Sequence, residues 1–210
     1  MKTKHAANIA GIVISFLALL AVAKPQSRAD ELVQQLRDLP PFFGLVPGNG
    51  TIPPIELRRN EVYREIRQLG TNALPSLERG LRDDDARLRR NVAVVFNSLV
   101  GGWMEALRPK MDIRPSLSAL IEALNDSDFY VRAWSAQAIG GIGPDAGDAI
   151  PTLIRLLNDH DRARGSACIA LRGIGPGAKE ALPALRNALS DPDEAVRRFA
   201  KQAIEAIQDR

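Results

Sequence analysis

The stretch ALPALRNALSDPDEAVRRFAKQAIEAI, residues 181–207, decides the fold. Apolar residues recur at helical spacing in both halves: Leu182, Leu185 and Leu189 in the first, and Val196, Ala203, Ile204 and Ile207 in the second. These spacings place each set on one side of a helix. Between the halves, the turn at residues 191–193 carries two aspartates that can end one helix and cap the next. The stretch therefore predicts a helical hairpin.

The same hairpin pattern occurs three more times upstream. The four units begin at Ala73, Leu117, Ala149 and Ala181, and each has an arginine early in its second half, at Arg89, Arg132, Arg164 and Arg197. Each hairpin leaves an apolar face that only a neighbouring hairpin can cover, so the units must stack. We expect each arginine to pair with an acidic turn of its own or an adjacent unit and to fasten the stack.

Proline and glycine mark the expected helix ends. Pro75, Pro151 and Pro183 stand in first turns, where proline loses no backbone hydrogen bond. The second helices are followed by the closures Gly140-Gly141-Ile142-Gly143-Pro144 and Gly173-Ile174-Gly175-Pro176. Glycine supplies a left-handed cap and proline stops the helix. The sequence therefore predicts that both second helices end within these closures.

Residues 181–207 and the string DSDFYVRAWSAQAIGGIG at 126–143 resemble HEAT repeats, in particular the short bacterial subtype also seen in phycobilin lyase-like proteins. The pattern that carries the resemblance is Asp-x-x-x-x-Val-Arg, followed by an Ala-rich helix and Gly-x-Gly-Pro. It covers residues 73–210. The resemblance implies an all-α, right-handed α-solenoid of the HEAT/armadillo type, with about four clear repeats and an irregular N-terminal cap. It also implies that the second helices line a concave face that binds another protein.

The region before the clear repeats divides into two parts. We interpret residues 24–55 as a cap helix, at Asp30–Leu39, followed by the Pro/Gly-rich loop Pro40–Pro54. The solenoid then occupies residues 56–210 and begins with a helix at Glu56–Leu69. A terminal repeat with an unusually long loop is typical of a cap.

Residues 1–23 are predicted to be a targeting segment. Two lysines and a histidine precede an apolar run from Ile9 to Ala23, which ends in Ala21-Val22-Ala23. A basic start, an apolar middle and small residues at the end are typical of a cleaved signal peptide. An uncleaved membrane anchor is the alternative. In either case the sequence predicts an exported protein, periplasmic or extracellular, or one tethered to the membrane by this segment.

Charge argues against a nucleic-acid partner. The chain has 28 basic and 25 acidic residues, and removing residues 1–23 deletes two lysines and no acids. The remaining balance, 26 against 25, lacks the excess of Lys and Arg that nucleic-acid binding requires. The predicted partner is another protein, with membrane contact only through the N-terminal segment.

The residues offer little catalytic or metal-binding chemistry. There are two histidines, and the second, His160, lies in an acidic turn like those of the other units. Cys168, the single cysteine, lies in an Ala-rich helical segment and is expected to be a buried apolar residue. We therefore predict no catalytic residue, metal or cofactor. The predicted function is a non-enzymatic protein-binding scaffold of the bacterial cell envelope. An accessory module of a modifying enzyme, or an architectural subunit of a larger assembly, is the alternative.

Candidate partner contacts lie on the second helices and in an insertion. The insertion, Gly101 to Pro115, lengthens the first spacing between the repeat arginines and contains Trp103. Trp103 and Trp134 are either exposed anchors or packed between units, and both interpretations stay open. The predicted contacts are Arg90, Asn91, Trp103, Trp134, Gln137, Arg198 and Gln202.

Overall fold

The computed structural model describes residues 25–40, 54–101, 110–159 and 163–209. Within these ranges the chain forms α-helices, short 3₁₀ turns and loops, without a strand. The helices are α1 Pro25–Arg37, α2 Pro54–Leu69, α3 Leu74–Leu81, α4 Ala86–Leu99, α5 Leu117–Ala123, α6 Phe129–Ile142, α7 Ile150–Leu156, α8 Ala163–Ile174, α9 Leu182–Ala188 and α10 Glu194–Gln208.

The helices from α3 onward pair into four hairpins that follow the four sequence units. In each hairpin the first helix packs against the second, and the second helices α4, α6, α8 and α10 pack against one another in a row. The cap differs from the later units, because α1 packs against α2, α3 and α4. The predicted solenoid of stacked hairpins is the observed architecture.

Local sequence explains where the helices begin. Asp85, Asp128 and Asp193 each precede a second helix, and their carboxylates accept hydrogen bonds from backbone amides of its first turn. This capping satisfies amides that have no partner within the helix. The predicted prolines lie at the first positions of α3, α7 and α9. Both predictions are confirmed.

Both α6 and α8 end within the predicted glycine closures. Gly143 and Gly175 follow their last residues and have positive φ values of 84° and 71°, which glycine adopts without the steric cost of a Cβ atom. Gly140, Gly141 and Gly173 lie inside α6 and α8. A Cβ atom on Gly173 would lie 2.2 Å from the carbonyl oxygen of Gly140, so glycine here lets the two helices touch through their backbones.

A ladder of ion pairs connects successive units. The guanidinium Nε of Arg89, Arg132 and Arg164 lies 2.7, 2.8 and 2.7 Å from Asp126, Asp159 and Asp191 of the following unit. Arg197 donates instead to backbone carbonyl oxygens of its own turn, at Asp191 and Pro192. The structural role predicted for these arginines is thus confirmed, and the acidic turns are held by neighbouring units.

Several predictions concern residues outside the described ranges. These are the targeting segment, the loop between α1 and α2, Trp103 and His160. Of the helices in the described part of the chain, none combines the length and the apolar character needed to cross a membrane.

Candidate binding groove

A groove of about 700 Å³ runs across the face formed by α4, α6, α8 and α10. Its apolar lining includes Trp134, Ile169 and Phe199, each from a different helix. Polar and charged side chains complete it, among them Asn97, Gln137, Lys110 and Arg172. A concave, mainly apolar surface with a few placed polar groups is the usual form of a binding site.

Small residues open the groove above the points where the second helices cross. Gly140, Gly141 and Gly173 all line it. A Cβ atom on Gly141 would meet the side chain of Val100, directly after α4, at 2.2 Å, and one on Gly140 would meet the backbone of Ala170 at 2.8 Å. Larger residues would separate the helices and fill the groove, so the same glycines determine both the packing and the shape of the site.

The two aromatic residues are half-buried. Trp134 of α6 and Phe199 of α10 pack against the hydrophobic core and also line the groove. The Arg198 guanidinium lies 5.0 Å from the centre of the Phe199 ring. The two interpretations left open for Trp134 are therefore both realised: its ring is packed on one side and available to a ligand on the other.

Two of the predicted amide residues lie at this face in defined positions. The Gln137 side-chain amide donates to the Ser166 hydroxyl over 3.2 Å, which connects α6 to α8. Gln202 accepts a 2.7 Å hydrogen bond from Arg172, which connects α8 to α10. These bonds hold the polar lining in place before any ligand arrives.

Arg90 is engaged within the protein. Its Nε donates to Asp128 over 2.6 Å, and its guanidinium lies 5.1 Å from the centre of the Tyr130 ring. The hydrogen bond to Asp128 raises the pKa of Arg90. Because Asp128 also caps α6, we assign Arg90 to the connection between α4 and α6.

The prediction that Asn91 is an exposed contact is wrong. Its side chain is 1% exposed, and its amide donates to the carbonyl oxygens of Leu36 and Leu39 over 2.8 and 3.0 Å. These carbonyls lie at and beyond the end of α1, where helix carbonyls lack partners within the helix. Asn91 therefore fastens the N-terminal cap to α4.

Some groove residues were missed by sequence reasoning. Ile169 occupies the position in α8 that corresponds to Gln137 and Gln202 in the neighbouring units, so the repeat spacing could have identified it. Arg172 lies one turn further along the same helix. Lys110 lies within the insertion and has no counterpart in the other units, so the repeat gave no signal for it.

Cys168 is buried, as the sequence predicted. Burial raises the pKa of the Cys168 thiol to about 12, so the thiol stays protonated and unreactive at neutral pH. Within the described ranges, no group of three or more His, Cys, Asp or Glu side chains is placed to hold a metal ion.

Comparisons with known proteins agree with this architecture. Residues 117–205 match the family model described as HEAT repeats. No curated protein sequence matches the chain. The recognition of HEAT repeats is thus confirmed for residues 117–205.

Solved structures with similar folds include both designed and natural proteins. A computationally designed armadillo repeat protein for modular peptide recognition is 22% identical, covers 85% of this chain and 81% of its own, and has a TM-score of 0.55. A chain from the complex of CpcE and CpcF of phycocyanin lyase from Nostoc sp. PCC7120 is 23% identical, covers 80% and 70%, and has a TM-score of 0.57. At these identities the likeness confirms the α-solenoid fold.

Proposed function

We propose that this solenoid, whose residues 117–205 are HEAT repeats, is a non-enzymatic scaffold that binds a partner protein in the groove across its second helices. The observation that carries the proposal is the groove itself. Its lining contains the aromatic side chains of Trp134 and Phe199 together with the Gln137 amide, which donates a hydrogen bond to Ser166. Aromatic anchors in a concave site commonly supply most of the binding energy of a protein interface.

The groove is built to bind with little rearrangement. Its helices are connected by the arginine ladder and by the Gln137–Ser166 and Arg172–Gln202 hydrogen bonds. A ligand therefore has few protein side chains to immobilise, which reduces the entropic cost of association. The designed armadillo repeat protein for modular peptide recognition has a similar fold, which supports a peptide or protein ligand.

The cellular location of the protein is part of the same proposal. The basic and apolar residues 1–23 resemble an export signal or anchor, so we place the solenoid and its partner in the cell envelope. Mass spectrometry of the mature N-terminus, together with fractionation, tests this placement. An intact Met1 on a protein recovered from the cytosol would contradict it.

Site-specific photo-crosslinking in cells tests the binding function. A benzoylphenylalanine introduced at Ile169 lies in the groove, whereas one introduced at Lys179 lies on an exposed turn outside the groove lining. We expect a discrete protein adduct from position 169 and none of the same size from position 179. The adduct should diminish when Trp134→Ala is added, because that change removes an anchor from the groove.

Two results would count against the scaffold. Identical adducts from both positions would show that the groove has no special role. Recovery of a small-molecule product or chromophore at position 169 would instead favour the accessory module of a modifying enzyme. That second result would be consistent with the fold that the chain shares with a phycocyanin lyase chain.

A further inference from the structure

We propose that the groove selects a segment of its partner that carries apolar side chains together with aspartate or glutamate. This inference rests on the proposed binding function and adds the chemistry of the bound segment. Two properties of the described residues support it: the mainly apolar lining of the groove, and two cations along one of its edges that form no ion pair.

The groove is long enough for a short peptide. It crosses four packed helices, and helix axes lie about 8–10 Å apart, so its length is about 27 Å. A segment of about eight residues spans this length when extended. Trp134, Ile169 and Phe199 give the lining its apolar surface, which favours apolar side chains in that segment.

Positive charge collects at the edge formed by the carboxyl ends of the second helices. Lys110 lies beside Gly101, just beyond the end of α4, and Arg172 lies in the last turn of α8. In the described part of the chain, Lys110 forms no ion pair, and the partner of Arg172 is the neutral amide of Gln202. Both cations line the groove.

Among the described residues that line the groove, one carries a negative charge. The carboxyl end of a helix carries about half a negative charge, which offsets only part of each cation. The negative group in the lining is Asp193, at the opposite end of the second helices, where its carboxylate accepts from the Ala195 amide and caps α10. A ligand carboxylate over Lys110 and Arg172 is therefore attracted, whereas a basic ligand is repelled.

The test is an unbiased selection on the full-length chain. A random library of eight-residue peptides, a length that spans about 27 Å when extended, is selected against the immobilised wild-type protein. Affinities of the recovered peptides are then measured by fluorescence polarisation. The charge variant is Lys110→Glu with Arg172→Glu. Its matched control is Lys179→Glu with Arg186→Glu, which changes the same charge at two exposed sites outside the lining.

Two further variants change the groove without changing its charge. Trp134→Ala removes an aromatic anchor, and Ile169→Trp fills part of the groove from a half-buried position in another helix. Circular dichroism melts establish that each variant is folded. If one of these variants misfolds, the other still tests whether peptide binding depends on the groove.

The expected result is a set of peptides enriched in Asp and Glu whose affinity falls at least tenfold with the charge variant and less than twofold with its control. That affinity should also weaken in 0.5 M salt, because exposed charges are then screened. Neutral or basic peptides that still depend on Trp134 or Ile169 would overturn the acidic preference and leave the scaffold function standing. If no recovered peptide depends on either residue, both proposals fail.

Discussion

At the scale of single residues, long-range contacts decide what a polar side chain does. Asn91 lies among apolar neighbours in α4, and the sequence pattern assigned it to the surface. It is buried because its amide reaches carbonyl oxygens of residues 36 and 39, more than fifty positions earlier in the chain. A one-dimensional pattern contains no signal for such a pairing, whereas it does identify Ile139, whose burial follows from helical spacing.

Replacing Asn91 by aspartate should destabilise the protein strongly. The carboxylate keeps the shape of the side chain but faces two carbonyl oxygens and places a charge where the side chain is 1% exposed. We expect a loss of about 3 kcal/mol or more in the free energy of unfolding, measured by urea denaturation at pH 7. Asn187→Asp, at an exposed site in α9, is the control and should change stability by less than about 0.5 kcal/mol. Equal effects would exclude the capping role of Asn91.

Ile139→Ala tests the register of the second helices. The side chain is fully buried between neighbouring units, so its truncation should cost about 2–5 kcal/mol through lost burial and a residual cavity. Gln137→Ala, two residues earlier in α6, removes one hydrogen bond to Ser166 from a half-buried position and should cost about 1 kcal/mol or less. The comparison uses the midpoint and slope of chemical denaturation. A larger loss for Gln137→Ala would mean that the assigned faces are reversed.

At the scale of the elements, the repeat spacing predicted the helices well and gave no signal for one kind of packing. Apolar periodicity and the acidic turns identified all four hairpins from α3 to α10. The second helices end within the glycine closures as predicted, but the glycines at 140, 141 and 173 lie inside the helices. A Cβ atom at these positions would come too close to a neighbouring backbone or to the Val100 side chain, a constraint that only the packed structure displays.

Gly173→Ala should therefore destabilise the contact between α6 and α8. The added Cβ would lie 2.2 Å from a backbone oxygen, which cannot rotate away, so the helices must separate. Overpacking of this kind costs about 1–3 kcal/mol, more than the gain of up to about 1 kcal/mol from helix propensity. Gly147→Ala is the control, since open space surrounds its Cβ position. Thermal melts showing Gly173→Ala as stable as wild type would rule out this backbone contact.

The pair between Arg164 and Asp191 predicts a pH-dependent connection between elements. The hydrogen bond from Arg164 lowers the pKa of Asp191 in the folded protein. The pair therefore stabilises the fold fully above the unfolded pKa of about 3.9, and this contribution is lost as the pH falls through the lower folded value. We expect Asp191→Asn to cost about 1–3 kcal/mol at pH 7.

Denaturation at a series of pH values checks the sign of this effect. The stability difference between wild type and Asp191→Asn should narrow as the pH falls below about 4, because the wild-type carboxylate is then protonated. Asp148→Asn, at an exposed position in the turn before α7, controls for the loss of a carboxylate that is not in the ladder. A difference that widens toward acid pH would contradict the lowered pKa of Asp191.

At the scale of the whole molecule, the face that carries the groove could be predicted better than the individual residues that line it. The repeat register placed Trp134 and Gln137 on the second-helix face, and both line the groove. The register could not give the positive edge, because Lys110 lies in an insertion that interrupts the repeat and Arg172 aligns with Gly140 and Glu205 in the neighbouring units. Charge at a site made by several units depends on their arrangement in space as well as on their spacing in sequence.

The stacked arrangement also predicts how the molecule opens. The second helices α6 and α8 have 14 and 12 residues and pack against second helices on both sides. The first helices α5 and α7 have seven residues each, well below the length of about 12–15 at which isolated helices become even marginally stable. They depend on contacts with their own units and can open while the row of second helices stays packed.

In native-state hydrogen exchange, the amides of α6 and α8 should therefore exchange at least tenfold more slowly than those of α5 and α7. Equal rates in both sets would mean that hairpins open only as whole units, which would contradict this order of stability.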